Sequence, residues 1–431
     1  MSFVRAGALR VKQAYQTIIV GGGAGGSELA VRLADQGDRE VLLIDRNHSH
    51  VWKPRWHELA AGAGRGHVNE LKYAGIAERW GFAFQQGDLL DVLPDENSIV
   101  VGGPQALPGG EVEPRRLCYS QLVLAIGGVT ADMGVKGVRE HAVLLDSADQ
   151  AEALCERLSK QLLANAAGDG NRPVDMVIVG SGPTGVELAG FLATGHQSNA
   201  LTPAAGGNTL NIVLLEAMDE FMPGTPRAVS DSVRQRLTQA GVDIVTGAKV
   251  GEITEDAVRT GSGERYASQL TVWVAGQMGP PIAGKINSLP RNGKNQWLTG
   301  RDLRAKGQDN IFVMGDCGCI EDNPAPPTAQ AASEQAEHLA QQLPRLARGR
   351  RPRVFQYRDK GTLLSLGEAG AVGRLRVMLD DDLQIRGRLA RAAYRGVQRR
   401  HQMLLLGVTK ALLDGASNFL ETRVGPRIKV H

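Results

Sequence analysis

Aromatic residues make up 4% of the 431 residues, and cysteines number four. So few aromatics leave little material for a surface that binds nucleic acid by stacking bases. Cys118, Cys155, Cys317 and Cys319 are too few to build a disulfide-held fold of this length. No CxxC pair occurs, and Cys317-Gly-Cys319 is too short for the usual redox disulfide without strain. The four read as small buried hydrophobes in a reducing compartment. The opening MSFVRAGALRVKQAYQ lacks the apolar stretch of roughly 7–15 residues that an export signal needs. The longest late apolar run, Met403 to Thr409, falls far short of the roughly 20 residues that span a bilayer. The expectation is a chain with no crossing of the membrane.

What is present describes a globular protein. The hydrophobic share is 42% and the charged share 22%, and this length predicts two or three compact units. Glycine is in excess, 54 residues without a Gly-X-Y period. Collagen is thereby excluded, and tight turns with close backbone approaches to ligands are indicated.

Charge is unevenly spread. From Leu383 to His431 there are ten Lys/Arg against two Asp/Glu, so this segment carries +8 of a total of +3 and the rest carries −5. Ala390, Ala393, Tyr394, Val397, His401, Leu404, Leu405, Val408 and Leu412 follow three- and four-residue steps, one face of a helix. Arg388, Arg391, Arg395 and Arg399 follow the same steps on the opposite face, which Leu406 and Leu413 interrupt. Such a helix fits an anionic lipid surface, with its apolar stripe in the acyl region and arginines at the headgroups. The competing reading is a helix packed on its own domain with a solvated basic face. Nucleic acid is not expected as a partner.

The strongest pattern is a phosphate cradle that occurs twice. Thr17-Ile-Ile-Val20 reads as a buried strand and runs into GGGAGG, where Gly21, Gly23 and Gly26 fill GxGxxG before a helix-like run. The first glycine allows the turn, the second admits a pyrophosphate, and the third lets helix pack on strand. The helix start presents N–H groups and a partial positive charge to phosphate. Nineteen residues after Gly26 a second strand, Val41-Leu-Leu-Ile44, ends in Asp45, placed to accept ribose hydroxyls. Asp175 to Val179, then Gly180, Gly182 and Gly185, then VELAGFLA and a strand ending in Glu216, repeat the arrangement. The longer gap, 31 residues, is explained by an inserted loop from Gly195 to Asn208. With no arginine between Glu216 and Arg227, a 2′-phosphate is repelled, so NADH is expected over NADPH. Two cradles imply a retained flavin and an exchanging nicotinamide. Leu122 to Gly128, Leu270 to Gly276 and Ile311 to Asp316 read as further strands running into glycine, the last ending in an acid suited to a ribityl hydroxyl.

These motifs resemble the two-dinucleotide-binding-domain flavoproteins, and within them the type II NADH dehydrogenases, non-proton-pumping NADH:quinone oxidoreductases. The likeness extends to DRNHSHVWKPRWHELAAG, TVWVAG, NIFVMGDC, PPTAQAASEQAEHLA, YRDKGTLLSLGEAGAV and YRGVQRRHQMLL. It implies FAD on Gly21, Gly23, Gly26, Asp45, Gly127 and Asp316, with Lys53 near the ring system. It implies NADH on Gly180, Gly182, Gly185, Glu187, Glu216 and Gly276. Glu187, also read as sitting at a helix N-terminus, is implied near the nicotinamide–flavin contact with a part in hydride or proton handling. On the other flavin face the resemblance implies a helix from Ala329-Gln330, with Gln330, Glu334, Gln335 and Lys360 toward the quinone. Gln330 can donate to the ring edge, and Lys360 can stabilise charge or supply a proton. Glu334 departs from the family's usual glutamine, and an ionised carboxylate cannot donate to a quinone oxygen.

The resulting expectation is an α/β protein with two Rossmann-like dinucleotide-binding domains and a basic amphipathic helical C-terminal segment that binds membrane. Residues 1–130 and 281–343 would form the FAD domain, 131–280 the NADH domain, and 344–431 the membrane- and quinone-side region. The enzyme would sit peripherally on the cytoplasmic face of the inner (plasma) membrane, pumping no protons, and a homodimer is compatible with it. Sulfide:quinone oxidoreductase is a rival that needs flavin-flanking cysteines, whereas Cys118 reads as preceding its strand and Cys155 as helical. A reductase of a soluble ferredoxin or disulfide lacks its cysteine pair. A non-catalytic nucleotide-binding regulator would not need acids after both cradles.

Overall fold

In a computed structural model the chain is described over residues 11–50, 52–62, 70–103, 113–167, 172–197, 210–376, 382–408 and 410. Most of the 195–208 insertion, together with Leu412 and Leu413, lies outside the described residues.

Two parallel-cored sheets carry the molecule. β1 (Val11–Val20) leads through α1 (Ala24–Asp35) to β2 (Val41–Asp45), which pairs parallel to it. On the other side of β1 lies β3 (Arg115–Leu124), also parallel. The strands Thr17–Val20 and Val41–Ile44 are buried along their whole length. Helices cover both faces of such a sheet, so its strands read as continuous apolar runs rather than alternating ones. The second sheet is built around β4 (Val174–Val179), which leads through α2 (Pro183–Gln197) to β5 (Leu210–Leu215), with β6 (Leu270–Trp273) on its other side. β7 (Ile311–Val313) returns to the first sheet alongside the end of β3. Each nucleotide cradle therefore lies at the carboxyl ends of strands, between the two strands that diverge there.

Helix α3 (Ala329–Ala347) packs on α1, where Gly25 lets the Ala332 carbonyl come close. A three-stranded antiparallel sheet follows, β8 (Gly361–Ser365), β9 (Ala371–Arg376) and β10 (Asp382–Arg386), and then α4 (Gly387–Leu406). This last region enters both cores. Leu364, Leu366 and Val372 join the core of the second sheet, while Leu405 joins that of the first.

Part of the apolar stripe of α4 is turned inward, against the protein and not toward lipid, while Val397 and Val408 of the same stripe are exposed. Ala390, His401 and Leu405 are buried, and α4 packs on α1 and on the sheet β8–β10. The outer side shows Arg388, Arg395 and Arg400 beside Leu389 and Val397, which are 73% and 55% exposed. Arg391 is drawn away by donating to the Gly367 carbonyl at 3.2 Å. Among the described residues no helix is long and apolar enough to cross a membrane.

Candidate active site

Both cradles follow one plan. Gly21 adopts φ +103° and donates to the Ile44 carbonyl at 2.7 Å; Gly180 adopts φ +112° and donates to Leu215 at 2.8 Å. A Cβ on Gly26 would overlap the Gly21 carbonyl oxygen, and one on Gly185 would overlap that of Gly180. Among the described residues, nothing beyond the adjoining backbone lies within 4 Å of where a Cβ would sit on Gly23 or Gly182. The middle glycine thus opens on free space with a helix start behind it, a cradle that fits a pyrophosphate.

The acids are tied to these loops. Asp45 Oδ2 accepts from the Gly22 N–H at 2.6 Å and Oδ1 from the Asn47 N–H at 2.8 Å, while burial pushes its carboxyl above the ordinary range. Glu216 Oε2 accepts from the N–H of Ser181 at 3.0 Å and its hydroxyl at 2.6 Å, and Oε1 from the Met218 N–H at 3.0 Å. Ser181 was not singled out in the sequence, although it stands between two glycines of the motif.

Between the cradles several expected residues converge. Asp316 follows β7 in a single helical turn, and its Oδ2 accepts from Gln277 Nε2 at 2.6 Å. Gln277 comes directly after Gly276, and Val129 and Met278 exchange backbone hydrogen bonds at 3.0 Å each. Lys53 Nζ donates to the Gly128 carbonyl at 3.4 Å and lies over the Trp56 ring, 5.4 Å from its centroid. Burial raises the Asp316 carboxyl, and the Lys53 charge only partly offsets it. Lys53, Gly127, Asp316 and Gly276 thus border one region.

A second group lies where α3 begins, capped by Thr328, whose hydroxyl accepts from the Ala331 N–H at 3.2 Å. Gln330 Nε2 donates to the Arg358 carbonyl at 2.9 Å and to Glu334 Oε1 at 3.3 Å. Lys360 Nζ pairs with the same Glu334 oxygen at 2.8 Å. Gln330, Glu334 and Lys360 therefore form one cluster. Gln335 does not join it: its side chain is buried and Oε1 accepts from the Gly315 N–H at 2.6 Å, bracing the turn that carries Asp316.

Glu187 lies in the second turn of α2, beyond the first-turn amides, because the helix starts at Pro183. This corrects the reading at the helix N-terminus. Its Oε1 accepts from the Ser365 N–H at 2.9 Å, and Oε2 lies 3.5 Å from His57 Nδ1. Burial, reinforced by Glu58, drives the Glu187 carboxyl well above the carboxylate range, against the pull of the Ser365 N–H. Burial and the charge of Arg55 hold His57 down to about 3. Burial thus favours the uncharged form of both the acid and the base. Tyr394 of α4 closes the group, its hydroxyl donating to the Pro54 carbonyl at 3.3 Å. His57 sat unassigned within WKPRWHELAAG; the signal was a histidine and a glutamate in an otherwise apolar short helix.

All four cysteines are free thiols, and only Cys317 is buried. Its Sγ donates to the Met314 carbonyl at 3.1 Å, and burial pushes its thiol up to about 12. Cys118 stands inside β3 rather than before it, and Cys155 lies in the helix Ala148–Ala167.

Paired dinucleotide cradles with an acid-bearing junction between them define a pyridine-nucleotide oxidoreductase. The model of the pyridine nucleotide-disulphide oxidoreductase family matches residues 15–336. A type II NADH:quinone oxidoreductase of Haemophilus influenzae is 32% identical over 442 residues, 96% of this chain and 99% of that one. Its counterpart in Staphylococcus aureus is 25% identical over 370 residues, covering 83% and 89%. The structure of NDH2 from Plasmodium falciparum in complex with NADH superposes with a TM-score of 0.81 at 18% identity, over 97% of this chain and 100% of that one. The sulfide:quinone oxidoreductase of Aquifex aeolicus gives 0.72 at 17%, over 97% and 96%. The chain belongs to the pyridine nucleotide-disulphide oxidoreductases and, within them, to the type II NADH:quinone oxidoreductases. Its cofactors are accordingly FAD and NADH.

Proposed function

We propose that the chain oxidises NADH and reduces a quinone, with the nicotinamide and the quinone served from different sides of the flavin site. FAD, when bound, supplies the hydride acceptor and two-electron donor. Gly180, Gly182, Gly185 and Glu216 bind and orient NADH, and Gly276-Gln277 carries its site up to Asp316 on the flavin side. Gln330, Glu334 and Lys360 border the quinone, Lys360 providing a positive charge and a proton donor. Glu334, paired with Lys360 at 2.8 Å, orients that side chain instead of donating to quinone. Glu187 and His57 hold a proton between the NADH domain and β8. The observation that carries this reading is the Gln277–Asp316 contact joining the two dinucleotide sites.

Purified protein should show a flavin spectrum and turn over NADH far faster than NADPH with a short-chain quinone, since Glu216 repels a 2′-phosphate. Equal rates with both nucleotides would remove Glu216 from the ribose site. Lys360→Met should lower quinone turnover about tenfold or more while leaving reduction of ferricyanide by NADH unchanged. Parallel loss of both rates would place Lys360 on the NADH side.

The protein is proposed to bind membrane peripherally, on the cytoplasmic face, through the outer side of α4. Leu389 and Val397 would enter the interface while Arg388, Arg395 and Arg400 meet anionic headgroups. Each such arginine contributes on the order of 1 kcal/mol, so replacing all three by Gln should weaken vesicle binding about a hundredfold. Because this variant leaves the buried face of α4 intact, its flavin content should not change. Undiminished binding to anionic vesicles would put the lipid contact elsewhere.

A further inference from the structure

Three buried side chains link α4 to the FAD loop. Glu28 of α1 meets His401 of α4, Oε1 to Nδ1, at 2.8 Å. His401 Nε2 meets His50 Nε2 at 3.0 Å, and His50 Nδ1 meets the Gly22 carbonyl oxygen at 3.0 Å. Each of the three residues is at most 4% exposed, and Trp52 covers the His401 ring at 4.2 Å between centroids. Gly22 is part of the pyrophosphate cradle, and its other contacts are the Asp45 carboxylate at its N–H and the Tyr73 hydroxyl at its carbonyl, 2.8 Å away.

Counting protons defines the state of this chain. A hydrogen bond needs one hydrogen in each gap, and there are three gaps. The Gly22 carbonyl can only accept. One carboxyl and two imidazoles must therefore hold three protons among them, a set with no net charge. It is written either as carboxylate, imidazolium and imidazole or as carboxylic acid and two imidazoles. A fourth proton would put two hydrogens in one gap, and losing one would leave two lone pairs facing each other. The remaining neighbours are fixed in charge or proton-donating: Arg32 lies 3.5 Å from Glu28 Oε2, and the Ser333 hydroxyl of α3 donates to the same oxygen at 2.7 Å.

We propose that His401 and His50 are positioning residues for FAD: they hold the Gly22 peptide in its cradle conformation and make flavin retention depend on the seating of α4. The inference rests on FAD occupying the first cradle. Burial, with the neighbouring His401, holds His50 down to about 3, below the ordinary value of about 6.5. An opened loop frees His50 to take a proton that the closed loop refuses, so opening becomes easier as pH falls below about 6.5. The lowered Glu28 carboxyl acts in the same direction at more acid pH.

The test is the rate of FAD release from holoenzyme, read by flavin fluorescence from about pH 5 to about pH 8. Wild type should release FAD faster as pH falls. His401→Phe and His50→Phe should each speed release about tenfold at neutral pH and flatten the acid limb, and the double variant should do no more than either alone. His401→Gln keeps a donor and an acceptor without titrating. It should retain FAD nearly as wild type does at neutral pH, with a weaker acid limb. Phenylalanine variants with the wild-type rate and profile would overturn the proposal, as would His401→Gln releasing FAD as fast as His401→Phe. If the phenylalanine variants do not fold, the glutamine variant decides, an unchanged acid limb being the overturning result. Wild-type protein that takes up no flavin would instead overturn the assignment of the first cradle, and this inference with it.

Discussion

Gly26→Ala is expected to give a colourless protein, whereas Gly185→Ala stays yellow and loses its hold on NADH. In each cradle the third glycine faces a backbone carbonyl so closely that a methyl group would overlap it. A backbone oxygen cannot swing aside as a side-chain tip can, so the loop must shift and the amide groups lose their aim at phosphate. Overpacking of this kind costs about 1–3 kcal/mol, which weakens dinucleotide binding roughly tenfold to a hundredfold. For the FAD cradle the readout is flavin absorbance per polypeptide after gel filtration, with activity returning when FAD is added in excess. For the NADH cradle it is a raised KM with unchanged flavin content. A yellow Gly26→Ala beside a colourless Gly185→Ala would exchange the two assignments.

Glu187→Gln should lower kcat by about a hundredfold with little change in the KM for NADH. The magnitude is the modest end of what a positioned proton donor contributes. Glutamine can still accept from the Ser365 N–H, so the change removes a proton rather than a contact. In the wild type the carboxyl is protonated below its raised pKa, and kcat should fall as pH climbs through that value. The variant should lack this alkaline limb. Stability moves the other way. A carboxyl whose folded pKa lies above its unfolded one takes up protons on folding, so it stabilises in acid and costs stability as pH rises past the unfolded value near 4.5. Each unit of separation corresponds to about 1.4 kcal/mol. The variant is therefore expected to melt higher than wild type at about pH 8, as calorimetry can check. A variant that keeps full turnover and its alkaline limb would remove Glu187 from proton handling.

The two cradles were legible because their chemistry is local. Glycine spacing, a preceding apolar strand and an acid at the end of the next strand sit within one supersecondary unit, so Gly21 to Asp45 and Gly180 to Glu216 could be read directly. Residues that act across the fold were legible only in part. Nothing near Gln277 in sequence announces Asp316, and Gln335 differs from Gln330 only in which side of α3 it occupies. Periodicity found the apolar stripe of α4 only in part, since Ala390, His401 and Leu405 are buried but Val397 and Val408 are not, and periodicity does not say what covers it. His401 within that stripe was the clue. A histidine on an apolar face asks for buried polar partners, which the protein interior holds and lipid tails do not.

The placement of α4 also bears on how the enzyme is made. Ribosomes release residues at about 5–20 per second, and early segments ordinarily fold first. Here Glu28 waits for His401, 373 positions later, and Trp80 donates its indole N–H to the carbonyl of Leu405, 325 positions later. The first sheet likewise awaits β7. A nascent chain that has exposed its whole glycine loop still lacks the pieces that brace it, so flavin capture is expected to be a late event, and truncated chains are expected to hold flavin poorly.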